Sequence, residues 1–213
     1  MVFETSTVPA HESAERRAFA DAIWGFRSEI LALWPEVLAA RTSRVPGLAG
    51  AVTRLKLCVA AWARGRTPSF EGRLNRWELL VDESTVRAGI LQMRAGNRFP
   101  LHDHPDSLSV SLVISGAVII GGFDRPSDSG TGRAVQLPAV GRQLLKEGEL
   151  SLVLPKHGNA HDLSALKDST LLEVTVSRDP RGSKFWYFPL EGKSSGGSSL
   201  TAIAMMQEAT LGC

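Results

Sequence analysis

The chain of 213 residues holds five histidines, and four of them fall between positions 102 and 161. Two sit in the segment PLHDHP, residues 100–105. In an extended chain residues i and i+2 project from one face, so His102 and His104 converge while Asp103 points the other way. Two imidazoles side by side are what two cis ligands of one metal ion require. Pro100 and Pro105 bracket the pair and restrict the backbone, which lowers the entropic cost of holding it in place. Further on, KHGNAH offers His157 and His161 as candidates for a third ligand. A histidine pair alone is weak evidence for a metal, so the surrounding elements must decide.

Those elements divide the chain into three. Phe19, Ile23, Phe26, Ile30, Leu33 and Val37 recur in steps of four and three, which places one apolar stripe on a helix. Pro35 should kink this helix or start another. The same spacing returns as Leu48, Val52, Leu55, Val59 and Trp62. Residues 1–70 therefore read as a helical segment that packs on a second part. From Trp77 the pattern changes to short runs rich in Val, Ile and Leu, such as WELLV, VRAGILQM, LSVSLVI, AVIIGGF, ELSLVL and TLLEVTV, separated by Gly, Asp, Pro and Ser. Short strands at this spacing predict a mainly β fold, an antiparallel sandwich or barrel over 71–190. The absence of helical patterns between them argues against a parallel α/β sheet. KSSGGSS then reads as a hinge before a short apolar piece, Leu200 to Met206, in a Gly/Ser-rich flexible tail, 191–213, whose spacing does not decide between docking and disorder.

Composition narrows the partners. Twenty-four Lys and Arg against 22 Asp and Glu leave a formal charge of +2, with no basic stripe for nucleic acid and no polybasic patch for a membrane. The two cysteines, Cys58 and Cys213, form no framework and no CxxC, which fits a reducing compartment. No apolar core of the signal-peptide kind follows Met1. The expectation is a cytoplasmic protein whose partner is neither nucleic acid nor a membrane; its oligomeric state is not legible.

The histidines fall within a wider pattern. Gly96 lies six residues before His102, Gly116 closes a hairpin signal after it, and Gly148, Pro155, Gly158 and His161 form G-x6-P-x2-G-x2-H. This resembles the paired motifs of the cupin superfamily, over about Gly89 to Leu190, and implies a small antiparallel, jelly-roll-like barrel. Cupins usually carry a glutamate soon after the second histidine, where this chain has Ser109. Three neutral imidazoles without that carboxylate leave a divalent ion with its full positive charge, which favours an anionic ligand such as a thiolate. PLHDHPDSLSVSLVISGAVIIGGFD resembles the thiol dioxygenases, that is, cysteine dioxygenase and the cysteamine dioxygenase and plant cysteine oxidase group.

That resemblance implies an Fe(2+) centre and the oxidation of a small thiol by dioxygen to the sulfinic acid. Gly158, Asn159, Ala160 and His161 are similar to the G-N-I-H of the plant and cysteamine branch, which implies His161 as third ligand and leaves His157 as a neighbour of the substrate. Glu173 stands where that branch has an acidic residue, able to accept the free N–H of a ligand histidine. RDPRGSKFWYFP is similar to a later stretch with a YY pair, which brings in Tyr187. Ser109 stands where animal cysteine dioxygenases carry a cross-linked cysteine and cannot form that link. Arg76, beside Trp77, is similar in position to an early-strand arginine that binds the substrate carboxylate. An outward-facing Arg76 would instead favour a cysteamine-like thiol or a peptide with an N-terminal cysteine.

Overall fold

Apolar spacing at the start of the chain produces three helices, α1 (Ala14–Ala32), α2 (Trp34–Ala39) and α3 (Leu48–Ala63). Pro35 lies in the first turn of α2, where its missing N–H leaves no intrahelical bond unmade. Phe19, Ile23, Phe26 and Ile30 on α1 and Leu48, Val52, Leu55 and Val59 on α3 are buried in one cluster. Each such side chain withdrawn from water contributes roughly 1.5–3 kcal/mol. The computed structural model describes residues 14–42, 44–63, 75–125, 131–178, 185–195 and 199–206.

The helical stripe needs a partner, and a five-stranded antiparallel sheet supplies it. Its strands are β1 (Arg76–Glu83), β2 (Val86–Met93), β4 (Ser107–Ser115), β7 (Leu150–Val153) and β9 (Ser169–Ser177), in the order β1-β2-β9-β4-β7. Alternation sends Val86, Ala88 and Ile90, Leu108, Val110 and Leu112, and Leu172, Val174 and Val176 to the helices. Residues between them on the same strands face inward. Leu91, Met93, Val113 and Leu171 meet Val118, Ile120, Leu145 and Leu163 of an opposing wall.

That wall belongs to β3 (Arg98–Asp103), β5 (Ala117–Phe123), β6 (Arg133–Lys146) and β8 (Ala160–Ala165). Together with β10 (Phe185–Ser195) and β11 (Ser199–Met206) these strands close into a ring, β10-β11-β6-β5-β8-β3. β3, β5 and β8 therefore have two buried faces. One looks across at the five-stranded sheet, and the other lines the ring, filled by Leu101, Phe123, Leu137, Phe185, Tyr187, Ala202 and Ala204. The fold is mainly β, an antiparallel barrel and sheet with helices at its N-terminal end.

The expected flexible tail is corrected in part. Ser199–Met206 is a strand, paired along β10 from Phe185↔Met206 to Ser195↔Ser199 and along β6 from Ser199↔Pro138 to Ala204↔Arg133. Small inward residues explain it: Ala202 and Ala204 are fully buried beside the bulky Phe185 and Tyr187. Residues 196–198 of the expected hinge, with 207–213, lie outside the described residues. Among the described residues no helix is long and apolar enough to cross a membrane.

Candidate metal centre

β3 and β8 place the histidines. His102 lies directly opposite His161 across the two strands, and His161 opposite Gly122 of β5. His104 follows the end of β3, and its N–H donates to the Asn159 carbonyl at 2.8 Å, which prolongs the pairing by one step. The register slips between Phe99 and His102. This bulge turns Phe99 to the same side as His102, ring centroids 5.1 Å apart.

The three Nε2 atoms converge. His104 lies 3.0 Å from His102 and 3.1 Å from His161, and His161 lies 3.2 Å from His102. With metal–nitrogen distances of about 2.1 Å, nitrogens at right angles around one ion stand about 3.0 Å apart and tetrahedral ones about 3.4 Å. The spacing fits three adjacent corners of an octahedron and leaves the opposite three for other ligands. The tautomer of His102 is fixed by its surroundings: Nδ1 lies 2.8 Å from the Pro100 carbonyl, which can only accept. Nδ1 therefore carries the proton and Nε2 presents its lone pair to the centre. Burial, reinforced by His102, holds His161 well below the usual histidine range, so its ring stays neutral. Among the described residues, these three form the group able to hold a metal ion.

Of the two candidates for third ligand, His161 joins the triad and His157 does not. His157 Nδ1 instead lies 3.1 Å from Asp124 Oδ1, which also accepts the Gly158 N–H at 2.7 Å. Asn159, next to them, donates to the Pro155 carbonyl at 3.0 Å and accepts the Arg125 N–H at 2.7 Å. This clasp sets the loop from which His161 enters β8. A cavity of about 250 Å3, lined among others by Ile120, Gly122, Gly141, Ser151 and Gly158, reaches His161.

Ser109 and Glu173 lie on the facing wall. Ser109 is buried and shares a hydrogen bond of 3.0 Å with Thr175. Glu173 accepts from Ser111 at 2.8 Å, and its Oε1 is buried with no hydrogen-bond partner. Burial pushes its carboxyl up to about 8, against a weaker downward pull from Ser111. The expected bond from Glu173 to a ligand histidine is absent; its partner is Ser111, because β4 and β9 pair Ser111 with Glu173 across the sheet. His161 Nδ1 is likewise buried without a hydrogen bond.

Tyr187 and Arg76 take other places than expected. Tyr187 is buried inside the ring, on the far face of β3, with its hydroxyl donating to Asp103 Oδ2 at 2.8 Å. It bonds the residue that alternation points away from the metal. Arg76 alternates with Trp77, whose ring packs into the barrel beside Gly89, so Arg76 faces outward. Sequence reasoning missed Phe99, which lines the site only because of the bulge, and Ser111, whose signal was the alternation of serines in SLSVS.

A family model, PCO_ADO, matches residues 71–179, half of the chain. The chain belongs to the plant cysteine oxidase and cysteamine dioxygenase family. PCO_ADO proteins are thiol dioxygenases, oxidoreductases that act on a thiol with dioxygen. No curated protein matches the chain. Among solved structures, KdgF from Halomonas sp. is similar at 16% identity, covering 54% of this chain and 90% of its own, with a TM-score of 0.37. A cupin superfamily protein from Desulfitobacterium hafniense is similar at 12% identity, covering 56% and 87%, with a TM-score of 0.40. The Cnp3 cupin domain of Schizosaccharomyces pombe is similar at 12% identity, covering 52% and 69%, with a TM-score of 0.38.

Proposed function

We propose that the protein is an iron(II)-dependent thiol dioxygenase that converts a small cysteine-like thiol and O2 to the sulfinic acid, with both oxygen atoms going to sulfur. The observation that carries the reading is the convergence of three imidazole Nε2 atoms at 3.0–3.2 Å in a PCO_ADO chain. His102, His104 and His161 are the residues that would hold iron. Bound there, iron supplies the oxygen chemistry and a positive charge that draws a thiolate.

The chain's own residues do the rest. Three histidines supply no anionic ligand, so the substrate sulfur is the anion that would balance the ion. Leu91, Met93, Leu163 and Leu171 keep the adjoining interior apolar, which strengthens every charge interaction there. Glu173 and Ser109 face inward and are the polar groups offered to the substrate. An inward carboxyl with a spare oxygen suits an amine, and an outward Arg76 leaves a substrate carboxylate without its expected partner. Both favour an amino thiol, cysteamine or an N-terminal cysteine, over 3-mercaptopropionate.

An oxygen electrode with iron-loaded protein and cysteine, cysteamine, 3-mercaptopropionate or a Cys-initiated peptide tests this. Uptake is expected with the amino thiols, together with the sulfinic acid by mass spectrometry. No uptake with any of the four, despite bound iron, overturns it.

A further inference from the structure

Asp103 stands between the two ligands of the HxH segment, and its carboxylate is fully buried on the opposite face of β3. Among the described residues, a backbone amide, a hydroxyl and a guanidinium hold it there. The Phe185 N–H donates to Oδ1 at 2.8 Å, the Tyr187 hydroxyl donates to Oδ2 at 2.8 Å, and Arg125 Nε lies 3.1 Å from Oδ2. Arg125 in turn lies over the Phe185 ring, 5.2 Å from its centroid. Phe185 and Tyr187 belong to β10, which begins beyond the segment matched to the family, 71–179.

β10 also reaches the front of the same strand. Trp186 pairs with His102 in register, and its ring lies 5.2 Å from the imidazole and 5.9 Å from Phe99. Successive residues of one strand, Trp186 and Tyr187, thus touch β3 from both sides. The first packs on a ligand ring, and the second fixes the carboxylate beside both ligands.

We propose that Tyr187 is a positioning residue of the metal centre, acting through Asp103 to hold His102 and His104 in the spacing that binds the ion. A buried carboxylate is strongly oriented by charge-assisted hydrogen bonds. Because Asp103 is covalently between the two ligands, a change in its tilt moves both imidazoles together. The inference rests on the triad being the metal site.

The test is metal affinity, measured without turnover by titrating metal-free protein with Co(II) and following its visible absorption. Tyr187→Phe removes one hydroxyl and keeps the ring. It should weaken Co(II) binding about 10-fold or more, in the range seen when groups behind a ligand are lost, and shift the absorption bands. Thr201→Val is the control, since Thr201 lies in the same ring and accepts a 2.7 Å bond from Gln136. It should bind as the parent does. Arg125→Gln, on the same carboxylate oxygen, should also weaken binding and carries the test if Y187F does not fold. Parental affinity and spectrum in Y187F, or in R125Q where that variant carries the test, or equal weakening in T201V, overturns the proposal. A parent chain that binds no Co(II) sinks the metal site and this proposal with it.

Discussion

Glu173 and Ser111 meet across β9 and β4 on the wall facing the histidines, with the serine hydroxyl donating to Oε2 at 2.8 Å and Oε1 buried without a partner. A carboxyl in that setting pays heavily to ionise, and one hydroxyl does not compensate for lost water.

The consequence is a pH dependence of stability. The folded carboxyl titrates near 8, against a reference value of 4.5. Between those values the unfolded chain has released its proton and the folded chain retains it, so this residue's stabilising contribution falls as pH rises and is gone above the folded value. The full effect is of the order of several kcal/mol. Urea unfolding of metal-free protein at about pH 5 and about pH 8.5 should show the loss, and Glu173→Gln should flatten it. An unchanged slope in E173Q would place the titration elsewhere.

His161→Ala and His157→Ala separate the two histidines of KHGNAH. Loss of His161 should abolish retention of Fe(II) or Co(II) on dialysis while the far-ultraviolet dichroism stays that of a β protein. Loss of His157 breaks its contact with Asp124 and should leave metal content at the parent level, with stability lowered by about 1 kcal/mol or less. Metal analysis of both variants decides between them; equal loss from both would place His157 at the metal.

The ligand pair was legible because strand alternation is a local property: His102 and His104 share a face and Asp103 takes the other. The helices were legible for the same reason, down to the break at Pro35. Glu173 was harder to place. Leu171, Glu173 and Thr175 alternate with Leu172, Val174 and Val176, a pattern that a strand with one wet face also gives, yet the helices cover one side and the opposing wall the other. The apolar piece Leu200–Met206 was visible but its docking was not, since serine and glycine around it signal a linker while the ring that recruits this strand is non-local. Phe99 lay beyond any rule of two because a bulge resets the alternation.

Closure of the ring by β11 predicts that its inward alanines are intolerant of charge. Ala202 has no exposed surface and lies among Leu137, Phe185 and Tyr187. Ala202→Asp would bury a carboxylate with no planned partner, at a cost of roughly 3–5 kcal/mol. A thermal melt should move down by several degrees or lose its cooperative transition, whereas Met206→Asp, at a half-exposed position on the same strand, should change little. Equal melting of A202D and the parent would show that the ring does not form in solution.

Gly89 couples the edge of the sheet to the interior. It pairs with Glu173 on one side and Leu79 on the other, and the Trp77 ring lies over it. A Cβ at Gly89 would come within 2.5 Å of Trp77 Cζ2 and 2.6 Å of the Glu78 carbonyl oxygen. The indole can shift, but the carbonyl belongs to the paired backbone and cannot move without disturbing β1. Gly89→Ala should therefore cost at least about 1–3 kcal/mol. Trp77→Leu frees only the side-chain half of the clash, so in a double-mutant cycle it should recover part of the G89A penalty and leave the backbone part. Full recovery would assign the whole constraint to the indole, and no recovery would assign it to the β1–β2 pairing.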